Sequence, residues 1–185
     1  MRVVAGSRRG RRLTAPPGEG TRPTSDRVRE AVHNALDARG LLVGARVLDL
    51  FAGSGAMGIE ALSRGASTCT FVDQAGPAVR AIHANLAATD LADRGIVVRA
   101  SVESYLRRLD AADAPVDVAF VDPPYAFDDW DALLRALPAT VAVLESDREL
   151  VLPAPWRADR CKRYGGTVVQ IAAKELPADL PTGEA

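Results

Sequence analysis

Aromatic side chains are scarce, at 5% of 185 residues, so the interior must be filled by Val, Leu, Ile and Ala rather than by rings. Cysteine is scarcer still. Cys69 and Cys161 stand far apart, with none of the paired spacing that marks a zinc site or a disulfide framework. Cys69 sits in the apolar run "TCTFV" and reads as a small core residue. No apolar stretch approaches the roughly 18 residues that a membrane helix needs. The N-terminus "MRVVAGSRRGRRL" carries positive charge with no apolar segment behind it, which argues against a secretory signal. These absences lead us to expect a soluble, cytoplasmic chain without a metal site or a membrane partner.

What is present is enough for one globular domain with a small appendage: 48% of residues are hydrophobic and 25% charged. The net charge of −1 conceals an uneven distribution. Residues 1–30 carry eight Lys/Arg against three Asp/Glu, and the remainder carries 15 against 21. A basic head on an acidic body points to a polyanionic partner for the head, the competing explanation being a solvated terminus.

Two short strand-like pieces, around Val3-Val4 and Leu13-Thr14, flank an Arg/Gly link. The Pro/Gly loop "APPGEGTRPTSD" follows, and Thr24, Ser25 and Asp26 offer helix-start chemistry. Val28, Ala31, Val32, Ala35 and Leu36 then recur with helical spacing up to Gly40. Beyond it, apolar runs at 46–51, 68–73, 96–100, 116–121 and 141–145 alternate with helical patterns at 56–64, 77–88, 102–109 and 128–137. Short apolar strands separated by helices predict a parallel sheet covered on both faces, an α/β class. "RCKRYGGTVVQIA" predicts a hairpin turning at Gly165-Gly166, which adds antiparallel strands to one side of the sheet. The tail from Pro177 is expected to be disordered.

"VLDLFAGSGAMGIEAL" sets Gly53, Gly55 and Gly58 after the first parallel strand, in a G-x-G-x-x-G at the mouth of a helix. Glycines there permit a sharp turn and let a ligand approach the backbone. Asp73 ends the next strand, 20 residues after Gly53, where a carboxylate can accept both hydroxyls of an adenosine ribose. An adenosine-containing cofactor is therefore expected, either a nicotinamide dinucleotide or S-adenosylmethionine. Asp49 favours the second. A carboxylate at the first strand's end can hold loop amides or a methionine ammonium, whereas it would repel a pyrophosphate.

The fourth strand ends in Asp122-Pro123-Pro124-Tyr125, on the same crevice. Proline removes the N–H and biases the preceding residue toward extended geometry. What remains is an acceptor-only wall, the Asp122 carboxylate and the Pro123 carbonyl, beside the ring of Tyr125. Such a wall suits the amino group of a flat base: acceptors take its N–H groups while the ring stacks on its face. Arg8, Arg9, Arg11 and Arg12, with Arg22, Arg27 and Arg29 beyond them, are candidate phosphate contacts. For Arg29, with Asp26 and Glu30, a salt-bridged helix face competes equally.

These segments carry a family resemblance. "DLFAGSGAMG" with "DPPY" resembles the amino methyltransferases of the class I S-adenosylmethionine-dependent fold. "RGRRL", "TRPTSDRVREAVHNAL", "FVD", "FVDPPY" and "VLESDRE" extend the likeness over nearly the whole chain to the bacterial RsmD family, the small-subunit (16S) ribosomal RNA (guanine-N2)-methyltransferases. The resemblance implies a Rossmann-like, mostly parallel seven-stranded sheet spanning residues 24–176, preceded by a basic RNA-binding hairpin over residues 1–23. It implies S-adenosyl-L-methionine against Asp49, Ala52, Gly53, Ser54, Gly55 and Gly58, with Asp73 on the ribose and Asp122, Pro123 and Tyr125 around the target amine. Its implied partner is 16S rRNA, free or in the small subunit, bound by a monomer. Two positions depart from the family pattern. Ser101 stands where many class I enzymes place an acid near adenine, so Ser101 or the Val102 amide takes that place. His33 stands where an aromatic is usual before Asn34 and is read as a packing or surface substitution rather than a catalytic group, while His83 is expected to be exposed. Rivals are an amino methyltransferase acting on DNA adenine, a nicotinamide-dependent oxidoreductase and a non-catalytic RNA-binding assembly factor.

Overall fold

A computed structural model describes residues 1–17, 26–109 and 116–175. Thr24, Ser25, Arg22 and the tail from Pro177 lie outside the described residues. After the N-terminal head comes α1 (Asp26–Asp37), and the chain then alternates β1 (Arg46–Leu50), α2 (Ala56–Ser63), β2 (Thr68–Asp73), α3 (Gly76–Ala88), β3 (Gly95–Arg99), α4 (Val102–Leu106), β4 (Val116–Val121), α5 (Trp130–Ala136) and β5 (Ala139–Ser146). It closes with the hairpin β6 (Trp156–Tyr164) and β7 (Thr167–Lys174), turning at the expected glycine pair, with Gly165 at φ 63°. No helix among the described residues is long and apolar enough to cross a membrane.

All seven strands join one sheet in the order β3-β2-β1-β4-β5-β7-β6. Strands β1 to β5 are parallel, and β7 pairs antiparallel with both β5 and β6. The strand order reverses between β1 and β4, so their carboxyl ends open a crevice that no crossover covers. Asp49 and Asp122 lie at that crevice because Leu50 is in register with Val121.

Both sheet faces are apolar, as continuous rather than alternating strand sequences require. Phe71, Phe120, Val47, Ile59 and Ile82 pack on the face covered by α1, α2 and α3. Leu48, Leu50, Val121, Leu134 and Trp156 pack on the opposite face, beneath α4 and α5. Each fully buried Leu, Ile or Phe contributes about 1.5–3 kcal/mol. The edge strand β6 exposes Arg157, Asp159, Arg160, Lys162 and Arg163 and is bulged between Ala158 and Arg160, features that discourage pairing with another chain.

The basic head is a minimal hairpin with one antiparallel bridge, Arg2 to Arg12, and Val3 and Leu13 bury into the first core. Its link runs along the end of α2. Ser7 N–H donates to the Ser63 carbonyl at 2.7 Å, and the Ser63 hydroxyl donates to the Ala5 carbonyl at 2.6 Å. A Cβ on Gly6, at φ 80°, would lie 2.0 Å from the Ser63 carbonyl oxygen, so only glycine allows this approach.

Gly58 has the same steric logic in the body. A Cβ there would come within 2.4 Å of the Phe71 ring and 2.5 Å of Cys69 Sγ. Gly58→Ala should therefore overpack the α2–β2 seam and cost about 1–3 kcal/mol. Thermal unfolding followed by circular dichroism is expected to show the Tm falling by roughly 2–4 °C per kcal/mol.

Candidate active site

The loop after β1 departs from strand geometry at once. Phe51 has φ 56°, Gly53 φ 56° and Gly55 φ 74°, and the turn closes with Gly55 N–H on the Ala52 carbonyl at 2.7 Å. A left-handed non-glycine residue at this place is a strained conformation that the surroundings must hold. Three acceptors hold the loop. Asp49 Oδ2 takes the Gly58 N–H at 2.9 Å, Asp73 Oδ2 takes the Gly53 N–H at 2.8 Å, and the Val72 carbonyl takes the Ala52 N–H at 3.1 Å. Beyond Gly53 the space is open, since an added Cβ would meet nothing nearer than the Phe51 carbonyl at 3.9 Å.

Asp73 also accepts the Ala75 N–H at 2.8 Å. Each of its oxygens thus carries one backbone bond, and a carboxylate keeps further lone pairs for a ribose diol. Asp49 is buried beneath the loop. Desolvation raises its carboxyl from near 3.8 to about 8; the Gly58 N–H opposes the shift, and the charges of Asp122 and Asp73 add to it. Three carboxylates thus converge on one crevice, and one of them holds its proton near neutrality. A cationic ligand relieves that crowding and a pyrophosphate aggravates it, so the residues fit a sulfonium-bearing adenosine cofactor better than a dinucleotide.

On the β4 side Asp122 is half-buried and Pro123 buried, while Pro124 and Tyr125 are exposed, Tyr125 at 58%. Phe127 N–H donates to the Pro124 carbonyl at 2.9 Å and closes a turn that holds Tyr125 outward. The Phe127 ring meets Phe51 edge-on at 5.6 Å and Trp130 at 5.3 Å. The brace of Phe51, Phe127 and Trp130 has no counterpart in the sequence expectations. Its signal in the sequence is that rings in an aromatic-poor chain flank both motifs, in "DLF" and "YAFDDW".

Ser101 follows β3, where adenine contact was expected. Its side chain caps α4 by accepting the Ser104 N–H at 3.2 Å, which gives the hydroxyl a local structural task, while Val102 is buried. His33 is fully buried, with one ring nitrogen 2.8 Å from the Arg29 carbonyl, the other 3.1 Å from the Met57 carbonyl, and its ring 5.1 Å from Phe120. Burial lowers it from 6.5 to about 4, so it is neutral at pH 7 and acts as a packing residue. His83 is exposed.

The head divides into three kinds of arginine. Arg9 and Arg12 are exposed, and neither makes an ion pair among the described residues; Arg27 is exposed on the first turn of α1. Arg8 and Arg11 reach the end of α3: Arg8 donates to the Asp90 carbonyl at 3.2 Å, and Arg11 to the Ala88 carbonyl at 3.4 Å and the Asp90 carboxylate at 3.2 Å. Arg29 corrects the expectation of a phosphate contact. Its side chain is wholly buried, paired with Asp26 at 2.9 Å and Glu60 at 3.8 Å, and donates to the Arg2 carbonyl. The helical period turns it inward, where it neutralises a buried glutamate. Among the described residues no group of His, Cys, Asp and Glu is placed to hold a metal ion.

A parallel sheet with this strand order, a glycine turn under an acid-lined crevice and an Asp-Pro-Pro-Tyr wall define the class I S-adenosylmethionine-dependent methyltransferase fold. The family profile described as Conserved hypothetical protein 95 matches residues 1–173. The chain is 39% identical to YlbH of Bacillus subtilis, over 94% of this chain and 99% of that one. It is 35% identical to the ribosomal RNA small subunit methyltransferase D of Escherichia coli K12, over 97% and 80%. The solved structure of yhhF from Escherichia coli superposes with a TM-score of 0.81 at 34% identity, covering 96% of this chain and 99% of that one. The chain belongs to the ribosomal RNA small subunit methyltransferase D family.

The raised Asp49 carboxyl has a pH consequence. Between the unfolded value of about 3.9 and the folded value of about 8, the native state binds more protons than the unfolded chain, so stability falls as pH rises through that window. The Tm of the cofactor-free protein is expected to decline from pH 6 to pH 9 more steeply than that of Asp49→Asn, whose neutral amide can still accept the Gly58 N–H. Parallel profiles would show that Asp49 does not titrate there.

Proposed function

We propose that this protein transfers the methyl group of S-adenosylmethionine to the exocyclic N2 amine of a guanine in small-subunit (16S) ribosomal RNA. The observation that carries it is the half-buried Asp122 and the outward Tyr125 at the carboxyl end of β4, across the crevice from the Gly53 turn and Asp49. The relatives named as ribosomal RNA small subunit methyltransferases support the substrate, and the likeness covers most of this chain.

When bound, the cofactor supplies an electrophilic methyl carbon on a sulfonium. Asp73 takes the ribose hydroxyls, Ala52 to Gly55 line the methionine part, and Asp49 faces positive charge while keeping its hold on Gly58. Ser101 and the Val102 amide flank the adenine position. On the base side, the Asp122 carboxylate and the Pro123 carbonyl accept hydrogen bonds from the amine, and the Tyr125 ring stacks on the base.

An aromatic amine is a weak nucleophile because its lone pair is delocalised into the ring. Two fixed acceptors favour a tetrahedral nitrogen and face the positive charge that develops as the N–C bond forms and the C–S bond breaks. The nitrogen then loses one proton, which passes from the wall to solvent. Guanine suits Asp122 because its N1–H and N2–H₂ are adjacent donors and an ionised carboxylate only accepts.

In our reading residues 1–23 form the RNA-contact extension of a methyltransferase domain over residues 24–176. Arg9 and Arg12 present exposed guanidinium groups, Arg8 and Arg11 reach from the hairpin to the end of α3, and Arg27 stands on the first turn of α1; Arg22 belongs to the same set by sequence. Arg2 and Arg12 border an open cleft of about 420 Å³ that also meets Met1, Leu13, Thr14 and Asp26. Its basic edge suits a phosphate backbone entering toward the crevice.

Methyl transfer from labelled S-adenosylmethionine to small-subunit RNA, with the modified nucleotide mapped, tests the assignment. Asp122→Ala should lower kcat/KM for RNA about 10²–10³-fold with cofactor affinity little changed. Methyl groups on adenine, or on DNA in preference to RNA, would overturn the guanine assignment. Reversing charge at Arg11 and Arg12 together should weaken RNA binding and flatten its log–log salt slope by roughly 0.7–0.9 for each phosphate the head no longer neutralises. Cofactor affinity measured by calorimetry should hold.

A further inference from the structure

Asn85 is a polar residue buried to 2% exposure on α3, and its side chain joins three segments. Its amide oxygen accepts the Thr14 N–H at 2.8 Å, and its amide nitrogen donates to the Thr14 carbonyl at 2.9 Å. The same nitrogen donates to the Ser54 carbonyl at 2.8 Å. Both of its N–H groups and one oxygen lone pair are thereby used, the satisfaction a buried amide requires. Thr14 follows the bridged Arg12 of the basic hairpin by two residues, and Ser54 lies between Gly53 and Gly55 in the cofactor turn.

The first strand of the hairpin is fixed separately. The Glu60 carboxylate, itself buried, accepts the Val4 and Ala5 N–H groups at 2.7 and 2.9 Å and is neutralised by Arg64 at 2.9 Å. That anchor lies on α2; the second strand is held to the first by the Leu13 N–H on the Met1 carbonyl at 3.1 Å and to the end of α3 by Arg11, and neither contact reaches the Gly53–Gly55 turn. Asn85 joins Thr14 to the turn in which the methyl donor sits, alongside the Ser54 hydroxyl's contact with Met1 Sδ at 3.5 Å, and a bidentate amide on one residue's backbone restricts rotation as well as distance.

We infer that Asn85 is a positioning residue. It holds the arginine-bearing hairpin at a set distance and angle from the Gly53–Gly55 turn, so that RNA phosphates gripped by the hairpin deliver the target base to Asp122 in line with the methyl group. The inference rests on the RNA role proposed above for the hairpin. Misplacement of about 1 Å at the reacting centre can cost 10²-fold in rate, so a latch of this kind acts on turnover as well as on affinity.

The test is a double-mutant cycle on RNA methylation at saturating S-adenosylmethionine, with kcat and KM for small-subunit RNA read separately and cofactor affinity measured by calorimetry. The four proteins are wild type, Arg11→Glu with Arg12→Glu, Asn85→Ala, and the combination. Charge reversal alone should raise the KM for RNA tenfold or more, and Asn85→Ala should lower kcat/KM for RNA at least tenfold. In the combination the losses should fall well short of multiplying, because an unlatched hairpin no longer delivers what it grips. Thr14→Pro removes the N–H that Asn85 accepts and keeps the bond to Ser54. It should reproduce the RNA defect with cofactor affinity unchanged, and it carries the test if Asn85→Ala does not fold. Losses that multiply, or wild-type RNA kinetics in Thr14→Pro, would overturn the role of Asn85 and leave the hairpin's RNA role standing. Wild-type RNA kinetics in the charge-reversed protein would instead remove the hairpin's RNA role, and this inference with it.

Discussion

Three carboxylates meet where the strand order reverses, and the rest of the site is arranged around that crowding. Asp49 is buried under the glycine turn, with one oxygen on the Gly58 N–H, and the charges of Asp73 and Asp122 reinforce the effect of its burial. The cluster persists because backbone N–H groups of the turn and of the start of α3 point into it. It also sets the kind of ligand admitted. Positive charge is welcome and phosphate is not, which separates this glycine turn from dinucleotide sites of similar sequence.

A second charge problem is solved at the α1–α2 seam. Glu60 is fully buried because it serves as the acceptor for the first strand of the basic hairpin, and Arg29 and Arg64 are drawn in to balance it. Arg64 also pairs with Asp37 on α1. Removing one member of such a set leaves an uncompensated buried charge, a heavier cost than removing a surface pair. The hairpin is therefore part of the body in packing as well as in hydrogen bonding, with Val3 and Leu13 in the same core as Phe71 and Phe120.

The alternation of apolar strands and helices is legible because parallel strands buried on both faces leave continuous runs. Predicted limits of the strands and helices stand within a residue or two for most elements. The last turn assigned to α4 does not, since that helix ends early, at Leu106. The aromatic brace of Phe51, Phe127 and Trp130 is not legible, because no local rule pairs Phe51 with Phe127, which meet only when β1 and β4 become neighbours. Arg29 escapes a reading by charge because charge alone cannot say which side of a helix faces Glu60.

By itself, then, the order of residues determined the α/β rhythm, the glycine turn with its acids at the strand ends, the proline wall after β4 and the basic head. Each is a local pattern whose backbone consequence spans only a few residues. Tertiary structure alone decided that Asp49 holds its proton near neutrality, that Ser101 caps a helix, that His33 and Arg29 are buried and that Asn85 ties the head to the cofactor turn. Most of those properties come from desolvation and from hydrogen bonds between segments as far as 71 residues apart, and no stretch of sequence encodes them until the sheet has assembled.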